Sequence, residues 1–412
     1  MFHEASGNGD RLVDLRPDAN GDRIAVVRKG EVGYLPARRV DIGHRHRGSS
    51  GSCRYVRRGR DGHLHVAGPN LDHRIFRSTD GGTTWSNTPF DMQMERFNLI
   101  INPKQDIKEG WIAAFTILRD DTFLMMIMPS NHSRNDRCYM ARSADHGATW
   151  SVEQMDLDVR PFQSVAGGNA DMIELRDGTI LLTIDTFFYT QEQRDRPMTP
   201  LYQGSYACVL RSNDGGRTWP QKHELVLHGA EVHLLELPSG TVMAAIRKQQ
   251  NVRLPGDPSD ILAAMRASGY DPAYTGFEEP IEDTTAFVKA MFICESHDGG
   301  RTWVDERRVS GYEQCSGELT LLDDGRTLVL QYDSRYPDRF AGAGVRARVS
   351  HDLGATWADE EYILGEGENY PGAVAMPDGG LMTVCPYRNM GEIQAVHWRP
   401  ATGSRATRPA MS

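Results

Sequence analysis

The sequence predicts an all-β chain, a six-bladed β-propeller of four-stranded antiparallel blades, and three patterns predict it. The octapeptide SxDxGxTW occurs five times, from Ser78 to Trp85, Ser143 to Trp150, Ser212 to Trp219, Ser296 to Trp303 and Ser350 to Trp357. Upstream of each copy an apolar run is broken by a tight turn, at Asp61-Gly62, Asp120-Asp121, Asp177-Gly178, Ser239-Gly240 and Asp324-Gly325. A sixth turn, Asp378-Gly379, has no octapeptide after it. Helical periodicity is scarce, and its clearest instance is Asp260 to Ala267, where Ile261, Leu262 and Met265 share one face.

Each element follows from local chemistry. In the octapeptide the Asp caps its own backbone, the Gly is free to take positive φ and the Trp plugs the flank, which makes a self-sufficient hairpin turn. Five of the seven tryptophans are used this way. The upstream turns are flanked by alternating apolar stretches, as in Val232 to Leu237 and Thr241 to Ile246, which read as paired strands. The unit is therefore hairpin, connection, hairpin. Successive octapeptides lie further apart than a compact blade of ~40–50 residues, so the connections are enlarged.

The last unit lacks an outer strand. Residues 401–412 form a polar tail, so a strand from the start of the chain, Arg23 to Arg28 or Val32 to Pro36, is expected to complete it and remove two open sheet edges. One domain over residues 1–400 is expected, because a propeller adds a small core with each blade.

Composition narrows the function classes. A formal net charge of −10 argues against nucleic acid as a partner. No stretch is apolar enough to span a membrane, and the opening MFHEASGNGD has neither the basic nor the apolar region of a signal peptide, so a cytoplasmic protein or a mature form is expected. Six scattered cysteines have no CxxC or zinc spacing and read as buried thiols. Arg38, Arg39, Arg45, Arg47, Arg54, Arg57, Arg58 and Arg60 crowd the entry to the first blade. His44-Arg45-His46 lacks a third ligand at a sensible spacing, and neither metal nor cofactor is expected.

Topology places the active end. In an up-and-down blade the first turn and the octapeptide lie at one end, so the other connections lie opposite. Those are the long ones, including 185–204, 248–285 and 333–342, and long loops on a rigid scaffold carry function. Reading back from each turn, the innermost strands start at this mouth with Cys53, Asn169, Glu231, Ser316 and Tyr370, and second strands end there with Asp185 and Arg247, followed by Arg335 and Arg388. A carboxylate, a phenol and several guanidiniums suit an anionic ligand.

These segments, with the five octapeptides, resemble the Asp-box (BNR-repeat) sialidases. The run from Glu231 to Arg247 is similar to the sialidase segment that carries a Glu and an Arg, and Asn369-Tyr370-Pro371-Gly372 to the one that carries the catalytic Tyr. Leu328 to Arg348 is similar to the blade that supplies a further arginine, with Arg335 preferred over Arg339. The resemblance implies an exo-acting hydrolase of a terminal acidic sugar, with an acidic glycan as partner. It makes Tyr370 the nucleophile, Glu231 its base, Arg247 and Arg335 a carboxylate clamp, Arg54 the first-blade arginine one position out of register, and Asp72 the general acid, with Asp185 as an alternative proton donor. Asn169, Arg339 and Arg388 complete the candidate substrate contacts.

Two other readings stay open from the residues alone. A lyase or glycosidase on uronate glycans would use Tyr370 or a histidine such as His65, His233, His44 or His46 as base. A non-catalytic carbohydrate-binding propeller would keep the arginines.

Overall fold

The computed structural model describes residues 13–44, 54–68, 74–89, 111–128, 138–157, 164–166, 170–187, 205–227, 229–253, 285–311, 313–335, 341–366, 370–387 and 392–401. The described residues hold strands and turns and no helix. The helix expected at 260–267 and the tail from 402 onward lie outside them.

Three strands come first, β1 (Arg23–Arg28), β2 (Glu31–Pro36) and β3 (Arg38–His44). Unit one is β4 (Tyr55–Arg58), β5 (Leu64–Ala67), β6 (Arg74–Ser78) and β7 (Ser86–Pro89), and unit two is β8 (Trp111–Ile117), β9 (Phe123–Met128), β10 (Cys138–Ser143) and β11 (Ser151–Met155). In unit three β12 (Ser164–Ala166) and β13 (Met172–Glu174) share the inner position on β14 (Ile180–Phe187), followed by β15 (Ser205–Ser212) and β16 (Gln221–Leu227). Unit four is β17 (Gly229–Glu236), β18 (Val242–Arg253), β19 (Thr285–Ser296) and β20 (Val304–Arg308), and unit five is β21 (Gln314–Leu321), β22 (Leu328–Ser334), β23 (Gly344–Ser350) and β24 (Glu361–Ile363). The chain continues with β25 (Gly372–Ala375), β26 (Leu381–Tyr387) and β27 (Glu392–Trp398). Units four and five are joined by one parallel bridge, Ala290 to Gln314.

The units have a propeller-like arrangement. Their first strands touch in cyclic order, β4 to β8 to β13 to β17 to β21 to β25 and back to β4. Middle strands are covered on both faces, so β9 (FLMMIM) and β22 (LVLQYDS) are buried throughout, whereas the outer β11 and β20 are largely exposed.

The strand that completes the last unit is neither of the two expected. β3 pairs with β27 from His44–Glu392 to Arg38–His397, while β1 pairs with β24 and carries β2 outside it. The basic sequence RRVDIGH concealed β3. An edge strand needs only one apolar face, and its charged residues find partners: Arg39 donates to the carbonyls of Arg23 and Leu364, at 3.1 and 2.8 Å, and Arg38 to Thr83 Oγ1 at 2.9 Å.

The octapeptides have one shared bonding pattern. In the third copy Ser212 Oγ donates to Asp214 Oδ1 at 2.7 Å and accepts from Gly216 N at 2.8 Å, while Asp214 accepts from Thr218 N at 2.9 Å and Thr218 Oγ1 at 2.7 Å. Gly216 is required twice, for its φ of +83° and because a Cβ there would stand 3.0 Å from Leu124 of the preceding unit. Trp219 is buried in the same inter-unit cluster, with Leu124, Met126 and Leu182. The motif thus turns the chain and seals one unit to the next. The inner turns lie at the same end: Thr179 Oγ1 bonds Asn213 beside this octapeptide, and Thr241 Oγ1 bonds His297 beside the next.

Candidate functional site

At the end of the inner strands away from those turns, two strands carry a bulge at equivalent places. The β17–β18 register shifts between Ala230 and His233, and the β21–β22 register between Cys315 and Glu318. Glu231 and Ser316 sit in these bulges with φ of +54° and +59°. A left-handed non-glycine residue costs about 1–3 kcal/mol, and such strain is characteristic of functional positions. A bulge re-aims the side chain it carries. Here the two, on the inner strands of neighbouring units, meet, Ser316 Oγ donating to Glu231 Oε2 at 3.3 Å.

Glu231 is the hub. Tyr370 Oη donates to its Oε1 at 2.6 Å, Arg247 Nε lies 3.3 Å from its Oε2, and its amide donates to Asp185 at 3.0 Å and 3.3 Å. Arg335 stands close enough for its charge to act on both Glu231 and Tyr370, with its Nε 3.3 Å from Asp333. Burial opposes the Glu231 charge, yet Arg247, Arg335 and the Tyr370 hydrogen bond hold its carboxyl below the usual range. Burial, reinforced by Glu231, pushes the Tyr370 phenol well above its usual range. Burial and then the Glu231 charge push Asp185 up to about 7. The phenol is therefore neutral and hydrogen-bonded to an ionised acceptor.

Five of the sequence candidates, Glu231, Tyr370, Arg247, Arg335 and Asp185, are brought together with Ser316. Arg54 is 1% exposed, precedes β4 and donates to the carbonyl of Glu231 at 3.3 Å. Asp185 lies behind Glu231, with both oxygens on its amide. Asp72, Asn169, Arg339, Arg388 and Cys53 lie outside the described residues, as does His46. Sequence reasoning missed Lys289, which shares an inward face of β19 with Met291 and Ile293; that alternation was its only signal.

Below the mouth lies a second polar cluster on the axis. Asp171 accepts from Arg57 Nη2 at 2.7 Å and Leu234 N at 2.9 Å, and His233 Nε2 lies 3.6 Å from Asp171 and 3.8 Å from Glu318. Burial lowers His233 to about 3, and because its Nδ1 accepts from Leu319 N at 3.2 Å, its proton sits on Nε2. His65 is also held neutral, lowered to about 4 by burial, with its ring 4.8 Å from Phe123. Neither histidine reaches the mouth.

Glu318 gives a pH prediction. Burial pushes its carboxyl up to about 8, so the folded chain keeps a proton that the unfolded chain releases near pH ~4.3. Its contribution is present below that lower value and is lost as pH rises through 8. Glu318→Gln keeps the neutral form and an acceptor for Ala373 N, bonded at 2.9 Å. The variant is expected to gain on the wild type in urea midpoint from pH 5 to pH 9. Parallel pH curves would show that Glu318 is ionised in the fold.

No family model matches the chain, and no curated protein matches it. Solved structures do. The chain is similar to a Hadza microbial sialidase (TM-score 0.56, 17% identity, 84% of this chain and 65% of that one) and to Trypanosoma rangeli sialidase (TM-score 0.54, 11% identity, 88% and 60%). It is also similar to the latter protein as a covalent intermediate with difluorosialic acid (TM-score 0.54, 12% identity, 88% and 58%). The chain spans less than two thirds of the length of each. At these identities the likeness concerns the fold alone.

Proposed function

We propose that the chain is an exo-acting glycoside hydrolase that releases a terminal acidic sugar, sialic acid or a close relative, from a glycan. The observation that carries this reading is the 2.6 Å hydrogen bond from Tyr370 Oη to Glu231, with Arg247 and Arg335 beside it. We read the cyclic contact of first strands as a six-bladed propeller whose axial mouth holds the pocket.

The chemistry follows from the substrate. A sialic acid carries its carboxylate on the anomeric carbon, which repels an anionic nucleophile, so a neutral phenol activated by a carboxylate is the better attacker. Tyr370 Oη forms the bond to the anomeric carbon as its proton passes to Glu231 Oε1. The bond to the leaving oxygen breaks, and that oxygen takes a proton from the general acid, for which Asp72 is the candidate. Water, deprotonated by that same acid, then attacks the anomeric carbon, and Glu231 returns the proton to the departing phenolate. Arg247 and Arg335 hold the sugar carboxylate by charge-assisted hydrogen bonds. Asp185 acts through the Glu231 amide and holds the left-handed backbone that aims the base.

The test is release of fluorescent methylumbelliferone from its sialoside by the wild-type chain. Turnover is expected. Its absence, with unsaturated product from uronate oligosaccharides seen by ultraviolet absorbance, would replace this reading by the lyase.

A further inference from the structure

We propose that Lys289 is the carboxylate-selecting residue of the pocket, the cation that makes the site prefer an acidic sugar to its neutral counterpart. The inference rests on the reading above and adds to the clamp a residue outside it.

The geometry comes from the extended β18–β19 ladder. Arg247 is paired with Met291, and Gln249 with Lys289, so Arg247, Met291 and Lys289 share one face. Met291 Sδ on this face accepts from Gly317 N at 3.3 Å, which fixes its direction toward the bulge that carries Ser316. Lys289 is anchored by its backbone. Its amide donates to Glu313 Oε1 at 2.8 Å, its carbonyl accepts from Glu313 N at 2.6 Å, and the Glu313 carbonyl accepts from Arg335 N at 3.1 Å. The same short segment therefore positions Lys289 and Arg335.

The three cations differ in their partners. Arg247 lies 3.3 Å from Glu231 and Arg335 3.3 Å from Asp333. Among the described residues the Lys289 ammonium has no carboxylate oxygen within 4.0 Å, because Glu313 turns its oxygen to the backbone amide. A half-buried ammonium with no carboxylate partner among the described residues, beside two guanidiniums, is costly unless a ligand anion meets it. Burial, then Arg335 and Arg247, lower it to about 8. The groups facing it are Arg247 from β18, Glu231 from β17, Glu313 and Cys315 around the start of β21, and Arg335 at the end of β22. Burial pushes the Cys315 thiol up to about 11. Asp185, near 7, titrates behind Glu231.

The test compares binding of the didehydro sialic acid analogue with that of its methyl ester, by titration calorimetry, in the wild type, Lys289→Met and Lys289→Arg. Glucuronate and galacturonate serve as further acid probes. In the wild type the acid is expected to bind at least about tenfold more tightly than the ester. Lys289→Met should lose about that factor on the acid and none on the ester, and Lys289→Arg should restore it. Acid affinity unchanged in Lys289→Met overturns the proposal, as does equal weakening of acid and ester, which would mark a structural role. If the wild type binds a uronate but not the sialic acid analogue, and that binding depends on Lys289, the selector stands while the sialidase reading falls. If it binds no acid probe, both fall.

Discussion

Tyr370→Phe is expected to lose at least about a thousandfold in kcat on a sialoside while KM stays within a few-fold. The change removes one oxygen, the one 2.6 Å from Glu231, and leaves the ring packed where it is. The carboxylate contacts proposed for Arg247 and Arg335 do not pass through that oxygen, so ground-state binding is expected to survive. A second readout separates loss of the nucleophile from loss of the fold. Exposed to a difluorinated sialic acid, the wild type is expected to gain the mass of one sugar, and the variant none. Undiminished turnover by Tyr370→Phe would remove Tyr370 from the reaction and leave Glu231 as the attacking group.

Asp171→Ala is expected to produce the largest loss of stability, about 3–5 kcal/mol, because it breaks a buried pair and orphans its partners. Asp171 is fully buried on the axis, where it joins three units: Arg57 of unit one, its own unit three, and Leu234 with His233 of unit four. Thermal unfolding checks this, with a fall of several degrees expected. The effect of acid has a definite sign. Burial opposes its charge, but His233, Arg57 and Arg54 hold Asp171 below the usual carboxylate range, so its contribution is present above pH ~3.9 and is lost as pH falls further. His233 adds to this earlier: it takes a proton near 6.5 when unfolded but near 3 when folded, so wild-type stability falls as pH drops below 6.5. A variant within 1 kcal/mol of wild type would show that the axis tolerates the cavity and that Arg57 finds another partner.

How far the sequence disclosed this site depended on how local each signal was. The octapeptide turns are complete within eight residues, so their Ser, Asp, Gly and Trp could be assigned by inspection. Glu231, Ser316 and Tyr370 could be aligned because each inner strand runs a fixed distance from its turn glycine, and period-two alternation carries the register. Arg54 stood one position out of the expected register, and the structure buries it with its guanidinium on the Glu231 carbonyl; one residue of register decides which side of a strand a side chain takes. Lys289 was missed because β18 and β19 extend well beyond the blade, and nothing in the sequence marks where a twelve-residue strand ends. The closing strand was misassigned because β3 has the composition of a surface rim, and its partner lies at the far end of the chain.

That separation has a consequence for how the molecule is made. Gln394 Nε2 donates to Asp41 Oδ1 across 353 positions. At roughly 5–20 residues per second, β3 leaves the ribosome on the order of half a minute before β27 exists to receive it. Throughout that interval the nascent chain is an open arc with two unsatisfied sheet edges, each a template for pairing with another chain. Closure joins the two ends of the chain and is its most non-local pairing, so it is expected to form late in folding.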